Sequence, residues 1–141
     1  MRKVHPLLLN LFALATTASL SLAAPAQTPA MTKAEYKADK EKISATYKTE
    51  RAACNADKGN AKDICMAQAK GKENIDKADL EARYQPTEKN HVKARLAKAD
   101  AEYAVAKERC DDHSGAAKDT CEKEAKAAHN AAKAEAKAPK K

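Results

Sequence analysis

The feature that most constrains this chain is a pair of cysteines on either side of a glycine, and it occurs twice. In CNADKGNAKDIC the first pair flanks Gly59, and in CDDHSGAAKDTC the second pair flanks Gly115. The four cysteines are Cys54, Cys65, Cys110 and Cys121. The likeness extends upstream, where Tyr47 matches Tyr103 in the same register. Self-similarity over this length indicates a tandem duplication of one structural unit.

The glycines predict where the chain reverses direction. A helix that ends just before Gly59 places this residue past its last turn, where glycine adopts the left-handed conformation at little cost. Asn60 then suits the N-cap of the next helix, and Asp63 lies near the positive end of that helix. The chain is therefore expected to fold back as an antiparallel helical hairpin. Residues equidistant from the turn face each other in such a hairpin, so the two thiols of each copy meet.

The cysteines are predicted to form two structural disulfides, Cys54–Cys65 and Cys110–Cys121. Four cysteines allow three connectivities, and the symmetry about each glycine favours this one. A zinc site with four cysteines normally contains closely spaced pairs, as does a redox-active dithiol. The spacing therefore favours structural disulfides over both alternatives, and no metal or catalytic residue is predicted.

The first 26 residues have the pattern of a secretory signal peptide. Arg2 and Lys3 precede an apolar segment at residues 7–22, and the Ala-Pro-Ala sequence at 24–26 provides the small residues of a cleavage site. An uncleaved anchor is the weaker alternative, because the apolar segment is short and is interrupted by polar residues. The mature chain is expected to be periplasmic or secreted, where disulfides form. Residues 27–31 are expected to be a linker, and no transmembrane segment follows it.

Four helices are expected, over residues 32–58, 61–84, 88–113 and 117–136. Thr32 and Glu35 have the spacing of a capping box, and Thr87 can cap the third helix after the interruption at Pro86. Gly71 either weakens the second helix or permits close contact with a neighbour. The predicted fold class is all-α, with two tandem disulfide-stapled antiparallel helical hairpins that are elongated or loosely bundled.

A conventional hydrophobic core is not expected. Beyond the signal segment the chain has few branched aliphatic residues and no phenylalanine, whereas alanine, lysine and glutamate, which favour helices, are abundant. The hairpins are predicted at residues 32–85 and 86–135, with a limited mutual interface, and residues 136–141 form a basic tail. Disulfides compensate for the missing core, because closing a loop of this size contributes about 3 kcal/mol.

The chain is mildly basic. It contains 27 Lys and Arg against 20 Asp and Glu, a net charge of +7, which falls to about +5 when Arg2 and Lys3 leave with the signal segment. The two signs are interspersed, which is typical of solvated helix faces and disfavours a nucleic-acid partner. Anionic envelope polymers or another envelope protein are the expected partners. The candidate binding residues are Lys133, Lys137, Lys140 and Lys141.

The repeated motif Gly-x-Ala-Lys-Asp-x-Cys, behind a signal segment, resembles small exported Ala/Lys-rich proteins of proteobacteria whose role is uncharacterised. The motif occupies residues 59–65 and 115–121, and the likeness covers essentially the whole mature chain. The resemblance implies a periplasmic location and a duplicated helical hairpin. It brings no activity and no functional residue to this sequence.

The sequence favours a non-enzymatic helical protein of the periplasm or cell envelope that is structural or binds anionic surfaces or partner proteins. An enzyme is not predicted, because the sequence has no plausible nucleophile–base pair and no Gly-rich phosphate loop, and no cofactor is expected. One alternative is a periplasmic metal-binding protein that uses His91, His113 and His129. Another is a stress-related chaperone-like protein with adhesive tyrosines. Lone surface histidines and tyrosines packed in helix seams are the simpler interpretations.

Overall fold

The computed structural model describes residues 30–139 and is all-helical over that range. Four α-helices follow one another, and a short 3-10 turn at Cys54–Ala56 comes after the first. The helices are α1 (Lys33–Ala53), α2 (Gly59–Tyr84), α3 (Glu88–Cys110) and α4 (Gly115–Lys137). The predicted all-α fold with four helices is confirmed. The predicted signal peptide, and Lys140 and Lys141 of the tail, lie outside the described residues.

Two helices begin with the caps that the sequence predicts. Thr32 Oγ1 accepts a hydrogen bond from the Glu35 amide at 3.2 Å, and Glu35 Oε2 accepts one from the Thr32 amide at 2.8 Å, which completes the capping box. These bonds to Thr32 hold the pKa of the Glu35 carboxyl below its usual value. Thr87 caps α3 by accepting a hydrogen bond from the Asn90 amide at 3.2 Å. Both caps satisfy first-turn amides that have no partner within the helix.

The helix ends at the two reversals come earlier than predicted. α1 ends at Ala53 rather than at residue 58, and α3 ends at Cys110 rather than at residue 113. The chain leaves each helix early because it has to cross to a neighbouring axis roughly 8–10 Å away before the next helix begins. Gly59 and Gly115 have the expected positive φ, 56° and 55°, but they are the first residues of α2 and α4.

Both predicted disulfides are present. Cys54 bonds to Cys65 and Cys110 bonds to Cys121, and the Cα atoms are 5.6 Å apart in each pair. The first cysteine of each pair is buried. Because consecutive helices run antiparallel, both disulfides lie at one end of the molecule. The α2–α3 turn at residues 85–87 lies at the opposite end.

The four helices form a single antiparallel layer. Each helix packs against its neighbours in sequence, and no other pair among the described helices has Cα atoms within 8 Å. The contact between α2 and α3 is the most extensive of the three, so the predicted limited interface between the hairpins is wrong. The helices α1 and α4 form the two edges of the layer, which does not close into a bundle.

Small residues explain the extent of the α2–α3 contact. Gly71 is buried against Ala101, and a Cβ added at Gly71 would lie 2.7 Å from the Ala101 Cβ. The expectation that Gly71 permits close contact with a neighbour is confirmed. Large side chains contribute little, and the buried apolar residues are Cys54, Ala69, Leu80, Ala82, Ala99, Cys110 and Ala136. The layer therefore depends on close backbone approach rather than on a thick core.

The Gly71→Ala variant is expected to be less stable than the wild type, although alanine favours helices over glycine by about 1 kcal/mol. The new methyl group forces α2 and α3 apart at Ala101, and overpacking of this kind costs about 1–3 kcal/mol. The midpoint of urea unfolding, followed by circular dichroism, should fall. The double variant Gly71→Ala/Ala101→Gly removes the closest contact and leaves the new methyl group 3.3 Å from the Cα of residue 101, so it should recover most of the lost midpoint. A higher midpoint for Gly71→Ala alone would show that the two helices are not held this closely.

Removal of either disulfide is expected to lower the free energy of unfolding by about 3 kcal/mol, because the crosslink no longer restricts the unfolded chain. The sequence separation is 11 in both pairs, so Cys54→Ala/Cys65→Ala and Cys110→Ala/Cys121→Ala should lose similar amounts. Guanidinium unfolding without reductant measures both losses. Wild-type stability in either double variant would contradict a stabilising role for that disulfide.

Candidate functional site

The structure describes two of the four predicted binding lysines. Lys137 is the last residue of α4 and is exposed, whereas Lys133 lies one turn earlier on the same side and is half-buried. Lys126 extends this row toward the disulfide end of the molecule, two turns from Lys133. Lys140 and Lys141 lie beyond the described range. The described part of the predicted site is therefore a row of lysines along α4.

His129 is held between α3 and α4. Its Nε2 lies 2.6 Å from Oδ1 of Asp100. Its ring stacks on Tyr103 with 4.4 Å between the centroids and 2° between the planes. The side chain is 13% exposed. This histidine therefore provides both packing and a polar link across the α3–α4 seam.

The three histidines considered as metal ligands are not brought together. His91 lies in the first turn of α3 and His113 follows the end of that helix, a separation of roughly 33 Å along the axis. His129 is already engaged with Asp100. Within residues 30–139, no group of three or more metal-binding side chains is present.

The tyrosines lie in the helix seams. Tyr36 stacks on Tyr84 at 4.4 Å between ring centroids and donates its hydroxyl to Glu81 Oε2 at 2.8 Å. This hydrogen bond to a carboxylate raises the pKa of Tyr36, because it favours the protonated hydroxyl. The Lys70 ammonium lies 5.1 Å from the ring centroid of Tyr47. These contacts engage the aromatic rings that a chaperone-like protein would present to its clients.

Glu73 of α2 is the one buried charged residue in the described part of the chain. Its carboxylate accepts hydrogen bonds from Lys70 Nζ at 2.8 Å and from Lys77 Nζ at 2.6 Å. These bonds, from Lys70 first and Lys77 second, hold the pKa of Glu73 below its usual value. The sequence shows the helical spacing of the three residues, but the burial of Glu73 depends on the neighbouring helices.

Asn60 connects the two disulfide-linked reversals. Its Nδ2 donates to the Glu108 carbonyl at 2.7 Å and to Asp112 Oδ1 at 2.8 Å. The prediction that Asn60 caps α2 is therefore wrong, and the N-cap position belongs to Lys58. The side chain turns to the end of α3 because carbonyls in a last helical turn have free acceptor capacity.

Arg95 of α3 holds the last turn of α4. Its Nε donates to the Ala136 carbonyl at 2.8 Å, and its Nη2 lies 2.8 Å from Glu88 Oε1. A cation at a helix C-terminus is favoured by the helix dipole. The sequence around Arg95 gives no indication of a contact with Ala136, which lies 41 residues further along the chain. Sequence reasoning therefore missed this hydrogen bond.

The layer presents two faces, which the grooves between its helices define. On one face, Lys72 lines both the α1–α2 and the α2–α3 grooves, and Glu102 lines both the α2–α3 and the α3–α4 grooves. We call this the Lys72 face. On the other face two grooves share Tyr47, Arg51 and Met66, and one of them includes Lys70. We call this the Tyr47 face, and it lies opposite because Lys70 and Lys72 are about half a turn apart on α2.

No protein-family model matches the chain, and no curated protein or solved structure is significantly similar to it. None of the helices in the described range is both long enough and apolar enough to cross a bilayer. The two disulfides are compatible with an extracellular or periplasmic protein. Function therefore has to be inferred from the chemistry of the two faces.

The Glu73→Gln variant is expected to be less stable at neutral pH by about 1–3 kcal/mol, because an amide cannot replace two charge-assisted hydrogen bonds. The folded-state pKa of Glu73 lies below its usual 4.5. Its contribution is therefore complete above that value and is lost as the pH falls through the lower folded-state pKa. The difference in free energy of unfolding between wild type and variant should shrink below about pH 4.

Glu41→Gln is the matched control for this prediction, because Glu41 is an exposed residue of α1. It should change the free energy of unfolding by less than about 0.5 kcal/mol at any pH. Urea unfolding of the three proteins between about pH 2 and 7 gives the comparison. A Glu73→Gln loss that stays constant over this range would show that the charge of Glu73 does not stabilise the fold.

Proposed function

We propose that the protein is a non-enzymatic helical protein of the cell envelope, located in the periplasm, that binds anionic surfaces or polymers through its lysines. The observation that carries the proposal is a surplus of lysines without a local counter-charge. Four lysines of the described helices lie within 4.0 Å of a carboxylate: Lys70, Lys72, Lys77 and Lys118. Others, including Lys37, Lys93 and Lys126, are exposed and form no ion pair with a described residue.

Lysine suits a partner whose charges are numerous rather than fixed in position. Its ammonium is a strongly hydrated point charge on a flexible stem, and it does not require the planar geometry that arginine recognises. An isolated surface ion pair contributes little, but many cations acting on one polyanion or one charged surface add up. An extended anionic partner therefore fits this surface better than a single small ligand.

Several described side chains that could act as nucleophiles are engaged in other contacts. All four cysteines are in disulfides, and the hydroxyls of Thr49 and Thr120 donate to backbone carbonyls of their own helices. Within the described range, no serine, threonine or cysteine side chain is hydrogen-bonded to a histidine. The nucleophile and general base that covalent catalysis requires are thus not paired here.

The oxidised protein is expected to bind an immobilised anionic polysaccharide and to sediment with vesicles that contain phosphatidylglycerol. Both interactions should be clear at about 0.1 M salt, where the Debye length is about 10 Å, and should be lost at about 1 M, where it is about 3 Å. Neutral phosphatidylcholine vesicles are the control. The proposal would be contradicted if the protein bound neither anionic material at the lower salt, or if it bound neutral vesicles equally well.

A further inference from the structure

The two faces of the layer differ in charge, and α1 shows the difference most clearly. Basic residues recur along α1 at helical spacing on the side of Tyr47, so they form one row. All members of this row are exposed: Lys33, Lys37, Lys40, Lys48 and Arg51. The acidic residues Asp39 and Glu50 lie on the other side of α1, where they form ion pairs with Arg83 and Lys72. Most basic residues of this edge helix therefore lie on the Tyr47 side; the exceptions to the sorting are Glu41, beside Lys37 and Lys48, and Lys42, on the opposite side.

The same sorting continues on α3. Lys93, Asp100 and Lys107 are separated by two helical turns each, so they lie on one side of the helix. This side is opposite to the one that carries Glu102 and Arg109, which line the Lys72 face. Lys93 and Lys107 are exposed and belong to the Tyr47 face.

The α4 row lies on the same face. His129 reaches Asp100 across the α3–α4 seam, which places His129 on the Tyr47 face. Lys126 and Lys133 lie about one turn before and one turn after His129. The lysines predicted as binding residues on α4 thus share a face with the row on α1.

Several carboxylates of the Tyr47 face have partners on that face. Glu73 forms ion pairs with Lys70 and Lys77, Asp111 forms one with Lys118, and Asp100 is hydrogen-bonded to His129. Asp63 and Glu108, which line one groove of this face, form no ion pair with a described residue. On the Lys72 face the exposed Asp79, Glu102 and Glu135 have no such pair either. The unpaired charge is therefore predominantly positive on the Tyr47 face and mixed on the Lys72 face.

The dimensions of this face suit a plane of charge. Helices of 21 to 26 residues are roughly 31–39 Å long. Four axes spaced roughly 8–10 Å apart give a layer of similar width once the side chains of the edge helices are included. A linear polyanion can follow the row on one helix, whereas a plane of headgroups meets the rows on α1, α3 and α4 together. The opposite face is about one helix diameter away, 10–12 Å, so its charges are screened at about 0.1 M salt.

We propose that the Tyr47 face is a docking surface whose partner is the phosphate plane of an anionic phospholipid bilayer. This inference rests on the proposed function and specifies both the surface and the partner. The protein lies flat on the bilayer, with its lysines among the headgroups and the Lys72 face toward solvent. Binding requires no insertion, because each lysine interacts with the headgroups through its charge alone.

Two matched triple variants test the orientation. Lys37→Gln/Lys40→Gln/Lys48→Gln removes three charges from the Tyr47 face, and Lys42→Gln/Lys98→Gln/Arg109→Gln removes three from the Lys72 face. All six residues are exposed and form no ion pair with a described residue, so circular dichroism should show wild-type helix content. A lysine close to an anionic bilayer contributes about a fivefold gain in partitioning. The first variant should therefore lose on the order of 100-fold in binding to phosphatidylglycerol vesicles, and the second less than about fivefold.

Lysine acetylation of the vesicle-bound wild type gives a second measurement that does not depend on the variants. Mass spectrometry should show Lys37, Lys40 and Lys48 protected by the vesicles, and Lys42 and Lys98 modified as in the free protein. Equal protection of the two sets, or equal losses in the two variants, would overturn the orientation and leave the proposed function in place. Binding to the anionic polysaccharide but not to the vesicles would overturn only the bilayer as partner. Binding to neither would overturn the proposed function as well.

Discussion

Contact between small residues determines the shape of this molecule. Gly71 and Ala101 allow α2 and α3 to approach closely, but alanine and glycine bury little apolar area, so each contact contributes only modestly to stability. Closing the layer into a bundle would require a second apolar seam on each edge helix, α1 and α4. The described helices completely bury only three larger side chains, Leu80, Cys54 and Cys110. A single open layer with covalent links at two reversals is the architecture that such a composition can support.

The parts of this fold that depend on local chemistry were predictable from the sequence. The capping box at Thr32, the cap at Thr87 and the disulfide pairing all follow from residues close together in the chain, and the structure contains each of them. The helix ends at the reversals were not predictable, because they depend on the distance to the next helix axis. The symmetry of the cysteines about each glycine predicts which residues are bonded. It does not predict how many residues are needed to connect the end of one helix to the start of the next.

Contacts between residues far apart in sequence account for what the sequence could not reveal. Asn60 has the side chain of a helix cap and instead links α2 to the end of α3, and Arg95 reaches the last turn of α4. The charge pattern was hidden for the same reason. Basic and acidic residues alternate along the chain, which is typical of a uniformly solvated surface. The lysines without an ion pair concentrate on one face only once each helix has a fixed orientation in the layer. The lysines near the C-terminal end were the binding residues that the sequence indicated, but the row of basic residues on α1 is longer.

The position of the disulfides also limits how two molecules can exchange parts. Transfer of α1 or α4 to a second copy is blocked, because each edge helix is tied to its neighbour at the reversal by a covalent bond. The turn at residues 85–87 carries no such tie. Opening that hinge would free two intact hairpins, and the α2 of one molecule could pair with the α3 of another through the same Gly71–Ala101 contact. Any domain swapping would thus exchange whole hairpins and preserve both disulfides.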